Sequence, residues 1–198
     1  NNYDYILVSI PPKNGIDIVL KNFQDTLETL EVNWVTYLSA TSVYGDHDGE
    51  WVDENSKLNP LTEKGKSRLS AEKSWINLAK KKNLPIQIFR LSGIYSQERN
   101  ILKKIKSGSH QIINKPEHFF SRIHVEDISN ILKTTLNFKN IKSGEIYNLS
   151  DDYPCSNIEV ANYAYDLMKI SKPKMIETSE IENEMLRNFY KDSKKVSN

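Results

Sequence analysis

Glycine is scarce in this sequence, and its few glycines are not arranged to bind a phosphate group. Seven occur among 198 residues, which is about half the usual share of ~7%. No two of them have the G-x-G spacing of a dinucleotide-binding turn, and none completes the G-x-x-x-x-G-K-S/T pattern of a P-loop. The sequence as it stands therefore carries neither of these nucleotide-binding motifs.

Cysteine, net charge and long apolar runs are also lacking. The single cysteine, Cys155, excludes an internal disulfide and fits a reducing compartment, so we expect a cytoplasmic protein. The 27 basic and 26 acidic residues leave a net charge of +1, so no global field attracts nucleic acid or an anionic membrane. The apolar run at 5–12 is far shorter than the ~20 residues of a membrane span, and it lacks signal-peptide flanks. The four histidines are not spaced as metal ligands, and we expect no metal.

The first half of the chain alternates between strand-like and helix-like segments. Continuous apolar runs at 5–10, 34–40 and 85–91 are typical of strands buried in a parallel sheet. Apolar residues at helical spacing predict a helix over about 20–30 and a long helix over 61–82. This order predicts right-handed crossovers, and hence an α/β fold in which helices cover both faces of a parallel sheet.

The second half is less regular. A short strand is predicted at 111–113, a helix at 125–136, a strand at 145–149 and a final helix at about 179–191. Ser156-Asn-Ile-Glu159 has the pattern of a capping box, which predicts the start of another helix there.

The length of the chain bounds its organisation. A chain of 198 residues fits one domain, and it has neither repeats nor a low-complexity linker. We expect a single domain over 1–198, with the sheet core in about 1–110 and a small lobe built in part from about 111–198.

Small or hydroxyl residues follow each of the three predicted strands of the first half. The segments are Ser9–Pro12, Leu38–Gly45 and Arg90–Tyr95. Ligands bind at the carboxyl ends of strands in open parallel sheets, where small residues admit a planar ligand and hydroxyls bind its polar edge. The three segments are therefore candidates for a binding edge, and the alternative for each alone is an ordinary polar loop.

Five segments follow one another along the chain: Tyr37–Gly45, Asn59–Glu72, Phe89–Tyr95, Ser121–Asp127 and Gly144–Ser150. In this order they resemble the motifs of the extended short-chain dehydrogenase/reductases, the NAD-dependent epimerase/dehydratase family. Trp51–Glu54 and Arg122–His124 look most like the atypical branch of that family. The resemblance implies a Rossmann-like, doubly wound parallel sheet with a small C-terminal substrate lobe, and a cofactor that is NAD or NADP. It also implies a fragment, incomplete at both ends, because the first strand here is similar to the family's fourth. The glycine-rich turn would then lie upstream, and we expect an open strand edge and little cofactor affinity in this piece alone.

The resemblance also implies catalytic positions. Thr41 and Ser42 fall where the family binds the substrate hydroxyl or carbonyl, and Lys64 and Arg68 occupy the positions of the family's catalytic tyrosine and lysine. The i, i+4 spacing places the latter two on one helix face. An arginine at 68 keeps the charge with a different geometry. Lys64 is either the acid/base or a solvated residue of a first helical turn.

The implied cofactor and substrate contacts lie around the same strand ends. For the cofactor they are Pro11, Pro12, Ser39, Ala40, Arg68, Leu91, Ser92 and Gly93, and for the substrate Tyr44, Tyr95, Arg122 and His124. The two tyrosines either supply a phenol for catalysis or pack against their loops. His124 is otherwise a structural hydrogen bonder, and Arg122 either binds an anionic substrate group or pairs with Asp127.

Two hypotheses of different class follow from the resemblance. The first is an NAD(P)-dependent oxidoreductase or epimerase that acts by hydride transfer on a sugar nucleotide or a similar carbinol. The second is a catalytically inactive dinucleotide-binding or sensor protein on the same fold, which the replaced tyrosine and lysine favour. Both predict a small-molecule partner and no nucleic acid or membrane, and both leave an oligomer possible. A pure interaction module is a third hypothesis. It predicts a large exposed apolar patch, which the balanced composition does not indicate.

Overall fold

A parallel four-stranded sheet lies at the centre of the computed structural model, which describes residues 3–137 and 141–198. In chain order the elements are β1 (Tyr5–Val8), α1 (Ile18–Leu27), β2 (Trp34–Ala40), β3 (Trp51–Val52), α2 (Glu63–Lys82), β4 (Ile86–Leu91), β5 (Gly93–Tyr95), α3 (Ile101–Lys106), β6 (Phe119–Phe120), β7 (Arg122–His124), α4 (Val125–Thr135), β8 (Glu145–Leu149), β9 (Cys155–Ser156), α5 (Asn157–Met168), α6 (Glu184–Phe189) and β10 (Lys195–Val196). The sheet order is β1-β2-β4-β8, and every pair is parallel. The predicted α/β parallel sheet is confirmed.

Helices cover both faces of this sheet. Strand β4 is buried along its whole length, and its side chains alternate between the two faces. Ile86 and Ile88 pack with Trp75 of α2 on one face, while Phe89 packs with Ile128 of α4 on the other. This two-sided burial explains why the strand reads as a continuous apolar run.

The start of helix α2 depends on two residues, the N-cap Thr62 and the small residue Gly65. The Thr62 side chain accepts a hydrogen bond from the backbone N–H of Gly65, and the helix ends at Asn83 in the left-handed conformation. A Cβ at Gly65 would lie 2.8 Å from the carbonyl oxygen of Ser42. Glycine at this position therefore lets the first turn of α2 approach the short 3₁₀ turn at Thr41–Val43 that follows β2.

Two of the predicted elements in the second half are wrong. The apolar run at 111–113 forms only a single bridge between Ile113 and Ile176. Gln111 is exposed, and the two isoleucines are buried for another reason, because Ile112 packs against α5 and Ile113 packs against Ile181 and Tyr190.

The final helix, predicted over about 179–191, is broken into two short pieces. A 3₁₀ turn covers Thr178–Glu180 and α6 covers Glu184–Phe189. Between them the backbone is extended at Ile181, which is buried, and Asn183 caps the second piece. The capping box at Ser156 and Glu159 is confirmed at the start of α5.

The last residues of the chain form a small two-stranded sheet, separate from the central one. Strand β10 pairs with β3, and Val196 is buried among Val43, Tyr44 and Val52. The carbonyl oxygen of Ser193 accepts hydrogen bonds from two backbone N–H groups of the loop after β2, at His47 and Gly49. The segment thereby fixes the loop that follows β2.

Strand β1 forms one border of the sheet. It pairs with β2, and no other strand of the described residues pairs with its far side. Tyr5, Leu7 and Ile10 are exposed there. Across the described ranges, every helix is either too short or too polar to cross a bilayer.

Candidate functional site

The carboxyl ends of three neighbouring strands form one edge. Ala40 of β2, Leu91 of β4 and Leu149 of β8 are in register. The residues that follow two of these strands, Thr41 and Ser92, therefore lie side by side, and both are buried. The sheet thus brings together positions that are 51 residues apart in the sequence.

Ser92 is incompletely bonded. Its backbone N–H donates to the carbonyl oxygen of Leu149 at 3.0 Å. Its Oγ is buried and has no hydrogen-bond partner in the described residues. Leaving such a hydroxyl unsatisfied costs about 1–3 kcal/mol. A buried orphan hydroxyl at a strand's carboxyl end is what a contact with a polar ligand would explain.

Lys64 and Arg68, the two predicted catalytic residues of α2, differ in their surroundings. Lys64 lies exposed on the first turn of α2. Arg68 is half-buried, and its Nη1 donates to the carbonyl oxygen of Leu38 at 3.0 Å. No ion pair found in the described ranges includes Arg68. Burial raises the pKa of the Tyr37 phenol, and the nearby charge of Arg68 opposes that shift.

A buried polar network lies under this edge. Arg90 and Glu72 are both about 1% exposed, and Nη2 of Arg90 lies 2.8 Å from Oε2 of Glu72. The Ser39 hydroxyl donates to Glu72 at 2.5 Å. The Tyr44 hydroxyl accepts from Arg90 at 3.0 Å and donates to Asn148 Oδ1 at 2.7 Å. Burial opposes the charge of Arg90, but Glu72 and Tyr44 raise its pKa.

This network uses the hydroxyls of two predicted site residues inside the protein. Ser39 was expected to contact the cofactor and Tyr44 the substrate, and each hydroxyl instead bonds to a buried side chain. Burial raises the pKa of the Tyr44 phenol, and Arg90 opposes that shift. Their ligand contacts stay predictions.

The other three predicted substrate residues come together in the separate two-stranded sheet of β5 and β7. Strands β5 and β7 are parallel, and their register places Tyr95 beside His124 and Gly93 beside Arg122. The rings of Tyr95 and His124 lie 5.0 Å apart. Burial raises the pKa of the Tyr95 phenol, and the neighbouring Asp151 adds a smaller effect in the same direction. His124 also caps α4, because its Nδ1 accepts from the N–H of residue 126 at 3.4 Å.

Arg122 is braced by neutral acceptors. Its Nη1 donates to the carbonyl oxygen of Phe120 at 3.0 Å and to Cys155 Sγ at 3.5 Å, and its Nη2 donates to Asn157 Oδ1 at 2.7 Å. Burial lowers the pKa of Arg122. The alternative pairing with Asp127 is absent from the ion pairs of residues 3–137 and 141–198.

Gly93 is required for packing. A Cβ at this position would lie 2.3 Å from the Phe120 ring. Phe120 fills the space where a side chain at position 93 would project, so the predicted cofactor contact of Gly93 can come only from another side of its backbone. Pro11 and Pro12 lie in the loop after β1, and this loop reaches α2 through a 3.0 Å hydrogen bond from Gly15 N to Ser67 Oγ.

The structure also adds residues that sequence reasoning missed. Glu72, Asn148, Asp151, Cys155 and Asn157 bond or lie next to predicted positions. No local pattern distinguishes them, because each reaches its partner from another element. Within the described part of the chain, no group of three or more His, Cys, Asp or Glu side chains is placed to hold a metal ion.

Comparison with known proteins gives one family match. The family model described as the NAD dependent epimerase/dehydratase family matches residues 19–150. A search of curated proteins finds no match.

Several solved structures are similar to this one. A functionally unknown conserved protein from Silicibacter pomeroyi is 38% identical, with a TM-score of 0.90; the match covers 98% of this chain and 68% of that one. UDP-glucuronic acid 4-epimerase from Bacillus cereus, in complex with NAD, is 19% identical (TM-score 0.74; 87% and 62% covered). dTDP-glucose 4,6-dehydratase from Bacillus anthracis, in complex with NAD, is 17% identical (TM-score 0.70; 91% and 56% covered). The chain therefore spans less than two thirds of the length of the latter two.

Proposed function

The chain belongs to the NAD-dependent epimerase/dehydratase family, and from that premise we propose that it is part of an NAD(P)-dependent oxidoreductase or epimerase. The reaction is hydride transfer to or from a carbinol carbon of a sugar nucleotide or a similar small molecule. Two similar solved structures are sugar-nucleotide enzymes in complex with NAD, which supports this substrate class. Because the chain spans only part of those proteins, the activity is proposed for the whole protein.

The observation that carries the proposal is the buried hydroxyl of Ser92, which lies beside Thr41 at the carboxyl edge and has no hydrogen-bond partner among the described residues. A nicotinamide amide or a ribose hydroxyl fits this hydroxyl, because either can exchange a hydrogen bond with it. The cofactor, when bound, supplies or accepts the hydride. The residues that would hold it are Pro11, Pro12, Ala40, Arg68, Leu91, Ser92 and the backbones of Ser39 and Gly93.

Residues of α2 and of the 3₁₀ turn next to it would orient the substrate. Thr41 and Ser42 lie on the 3₁₀ turn that α2 approaches at Gly65, and we propose that they hold the reacting oxygen. The guanidinium of Arg68 has no carboxylate partner in the described residues, and one of its N–H groups donates to the Leu38 carbonyl oxygen. Its other N–H groups are left for ribose hydroxyls or a phosphate. Lys64, one helical turn earlier on the same face, is the proposed acid/base.

The second candidate function is a dinucleotide-binding sensor without turnover. It is favoured by the exposure of Lys64, which has no hydrogen-bonded neighbour in the described ranges to orient it. In an active enzyme the proton donor is held in place by its surroundings. The two candidates agree on the cofactor and differ in chemistry.

The test is an assay of the full-length protein with NAD, NADP and their reduced forms against a panel of sugar nucleotides. An enzyme gives turnover, and Thr41→Val lowers it, whereas the control Thr134→Val, on the exposed side of α4, leaves it unchanged. A sensor binds a dinucleotide without turnover. If neither cofactor binds, both candidates fail.

A further inference from the structure

We propose that Arg122 is the centre of a site for an oxyanion, a carboxylate or a phosphate group carried by a small molecule. The site lies where β7 meets the start of α5. It deepens the proposed function, and it rests on that function only for the statement that the anion is part of the substrate. The binding of an oxyanion itself stands on the surroundings of Arg122.

The first argument is a charge without a partner. Arg90, which is about 1% exposed, has the carboxylate of Glu72 at 2.8 Å. Arg122 is only partly exposed, and no carboxylate of the described residues forms an ion pair with it. A guanidinium stays charged inside a protein, and a buried charge without a counter-charge is costly. An anion that enters the site would offset this cost.

The second argument is the count of donors. A guanidinium has five N–H groups. Three are used, because Nη1 bonds to Phe120 and Cys155, and Nη2 bonds to Asn157. The N–H on Nε and one N–H on Nη2 have no acceptor in the described ranges. Two donors of one rigid guanidinium suit the two oxygens of a carboxylate or phosphate.

The bracing contacts hold the guanidinium still while leaving it cationic. The three acceptors are a carbonyl oxygen, a thiol and an amide, and the guanidinium also lies over the Phe120 ring, 5.1 Å from its centre. Burial raises the pKa of the Cys155 thiol, so this neighbour is a neutral thiol at neutral pH. A fixed guanidinium loses less entropy on binding than a free side chain.

The start of α5 adds positive potential at the same place. Asn157, which bonds to Arg122, is the first residue of this 12-residue helix. The N-terminal end of a helix carries a partial positive charge. Two carboxylates are near: Glu159 is turned back onto the Ser156 N–H by the capping box, and Asp151 lies beside Tyr95. Neither reaches the guanidinium within ion-pair distance.

The position of the site suits a substrate group. Arg122 is in register with Gly93, which follows Ser92 directly. An oxyanion at Arg122 would therefore lie on the same edge as the proposed cofactor contact. A substrate with an acidic group near its reacting carbinol would be held by Arg122 at the acidic group and by Thr41 and Ser42 at the reacting oxygen.

The test follows the Nε–H signals of arginine by NMR while the cofactor-free protein is titrated with sodium phosphate, and separately with sodium acetate, at constant ionic strength. We expect a saturable shift of the Arg122 signal. A larger response to phosphate or to acetate identifies which group the site takes. Arg122→Lys should weaken binding about tenfold or more, because it loses the paired donors.

The control is Arg187→Met, which removes an arginine whose hydrogen bonds within the described residues all go to backbone carbonyl oxygens of residues 181 and 182. This variant should bind the anion as the wild type does. If neither anion shifts the wild-type Arg122 signal saturably, the proposal is overturned, whether or not the variants fold. Loss of dinucleotide binding alone would contradict the proposed function and leave the oxyanion site intact.

Discussion

Nη2 of Arg90 lies 2.8 Å from Oε2 of Glu72, and both side chains are about 1% exposed. The pair joins the central strand β4 to the middle of α2, the helix that carries Lys64 and Arg68. Ser39 and Tyr44 complete its hydrogen bonds from the strand and loop that carry Thr41 and Ser42. One buried ion pair with its hydrogen bonds therefore holds α2 and the segment that carries Thr41 and Ser42 in place relative to each other.

Breaking this pair should destabilise the protein strongly. Arg90→Met leaves the Glu72 carboxylate buried without its partner, and the loss should be about 3–5 kcal/mol in the free energy of unfolding. Denaturant titration measures it. The exposed pair of Lys66 and Glu63 provides the control, because Lys66→Met should give no measurable loss. Equal effects of the two variants would show that the buried pair has no special role.

His118 should make stability depend on pH in the acidic range. It is fully buried between the Phe189 and Tyr190 rings, and burial lowers its pKa to about 4, with the charges of Lys115 and Lys194 acting in the same direction. Its unfolded pKa is near 6.5. Between these values the unfolded chain binds more protons, so stability falls as the pH decreases from about 6.5 to 4, by about 3 kcal/mol in total.

The measurement is the difference in unfolding free energy between the wild type and His118→Gln at several pH values. The difference should shrink as the pH falls through this window, because the variant has no imidazole to protonate. A difference that is constant from pH 7 to pH 4 would contradict the burial of a neutral His118.

Gly93→Ala should destabilise the protein through one contact. Its Cβ would lie 2.3 Å from the Phe120 ring, and such overpacking costs about 1–3 kcal/mol. Shortening the ring in the double variant Gly93→Ala/Phe120→Leu should recover part of the loss in a double-mutant cycle. Additive losses would mean that the clash is not the cause.

Val196→Ala should loosen the loop that follows β2. Val196 is 2% exposed and packs with Val43, Tyr44 and Val52, and a large-to-small change in such a core costs about 0.5–3 kcal/mol. Hydrogen exchange should become faster at residues 43–52 and stay unchanged in α5. Faster exchange throughout the chain would instead indicate a global loss of stability.

The strands of the sheet could be predicted from the sequence because the ends of each apolar run mark where the strand begins and stops. The run at 34–40 matches β2 at both ends, and that at 85–91 misses β4 by one residue. The predicted strand at 111–113 is wrong, because an apolar pattern does not distinguish a strand from a loop whose side chains enter two clusters.

The site was harder to predict than the fold. The strand ends that carry Thr41 and Ser92 were recognised, and Tyr95, Arg122 and His124 do come together. The internal use of the Ser39 and Tyr44 hydroxyls was not foreseen. Their partners Glu72, Arg90 and Asn148 come from three other elements, so the bonds depend on tertiary packing that no local pattern records.

The central claim is a dinucleotide contact at Ser92, and calorimetric titration of the full-length protein with NAD and NADP tests it most directly. Ser92→Ala should weaken binding about 3- to 10-fold while leaving the cofactor-free protein at least as stable, because it removes an unsatisfied hydroxyl. Ser143→Ala is the matched control, since Ser143 Oγ is likewise buried and unpartnered in the described residues but precedes β8 at the opposite end of the strand. Weaker binding in Ser92→Ala alone is the predicted result. Equal affinities of the wild type and both variants would contradict the account.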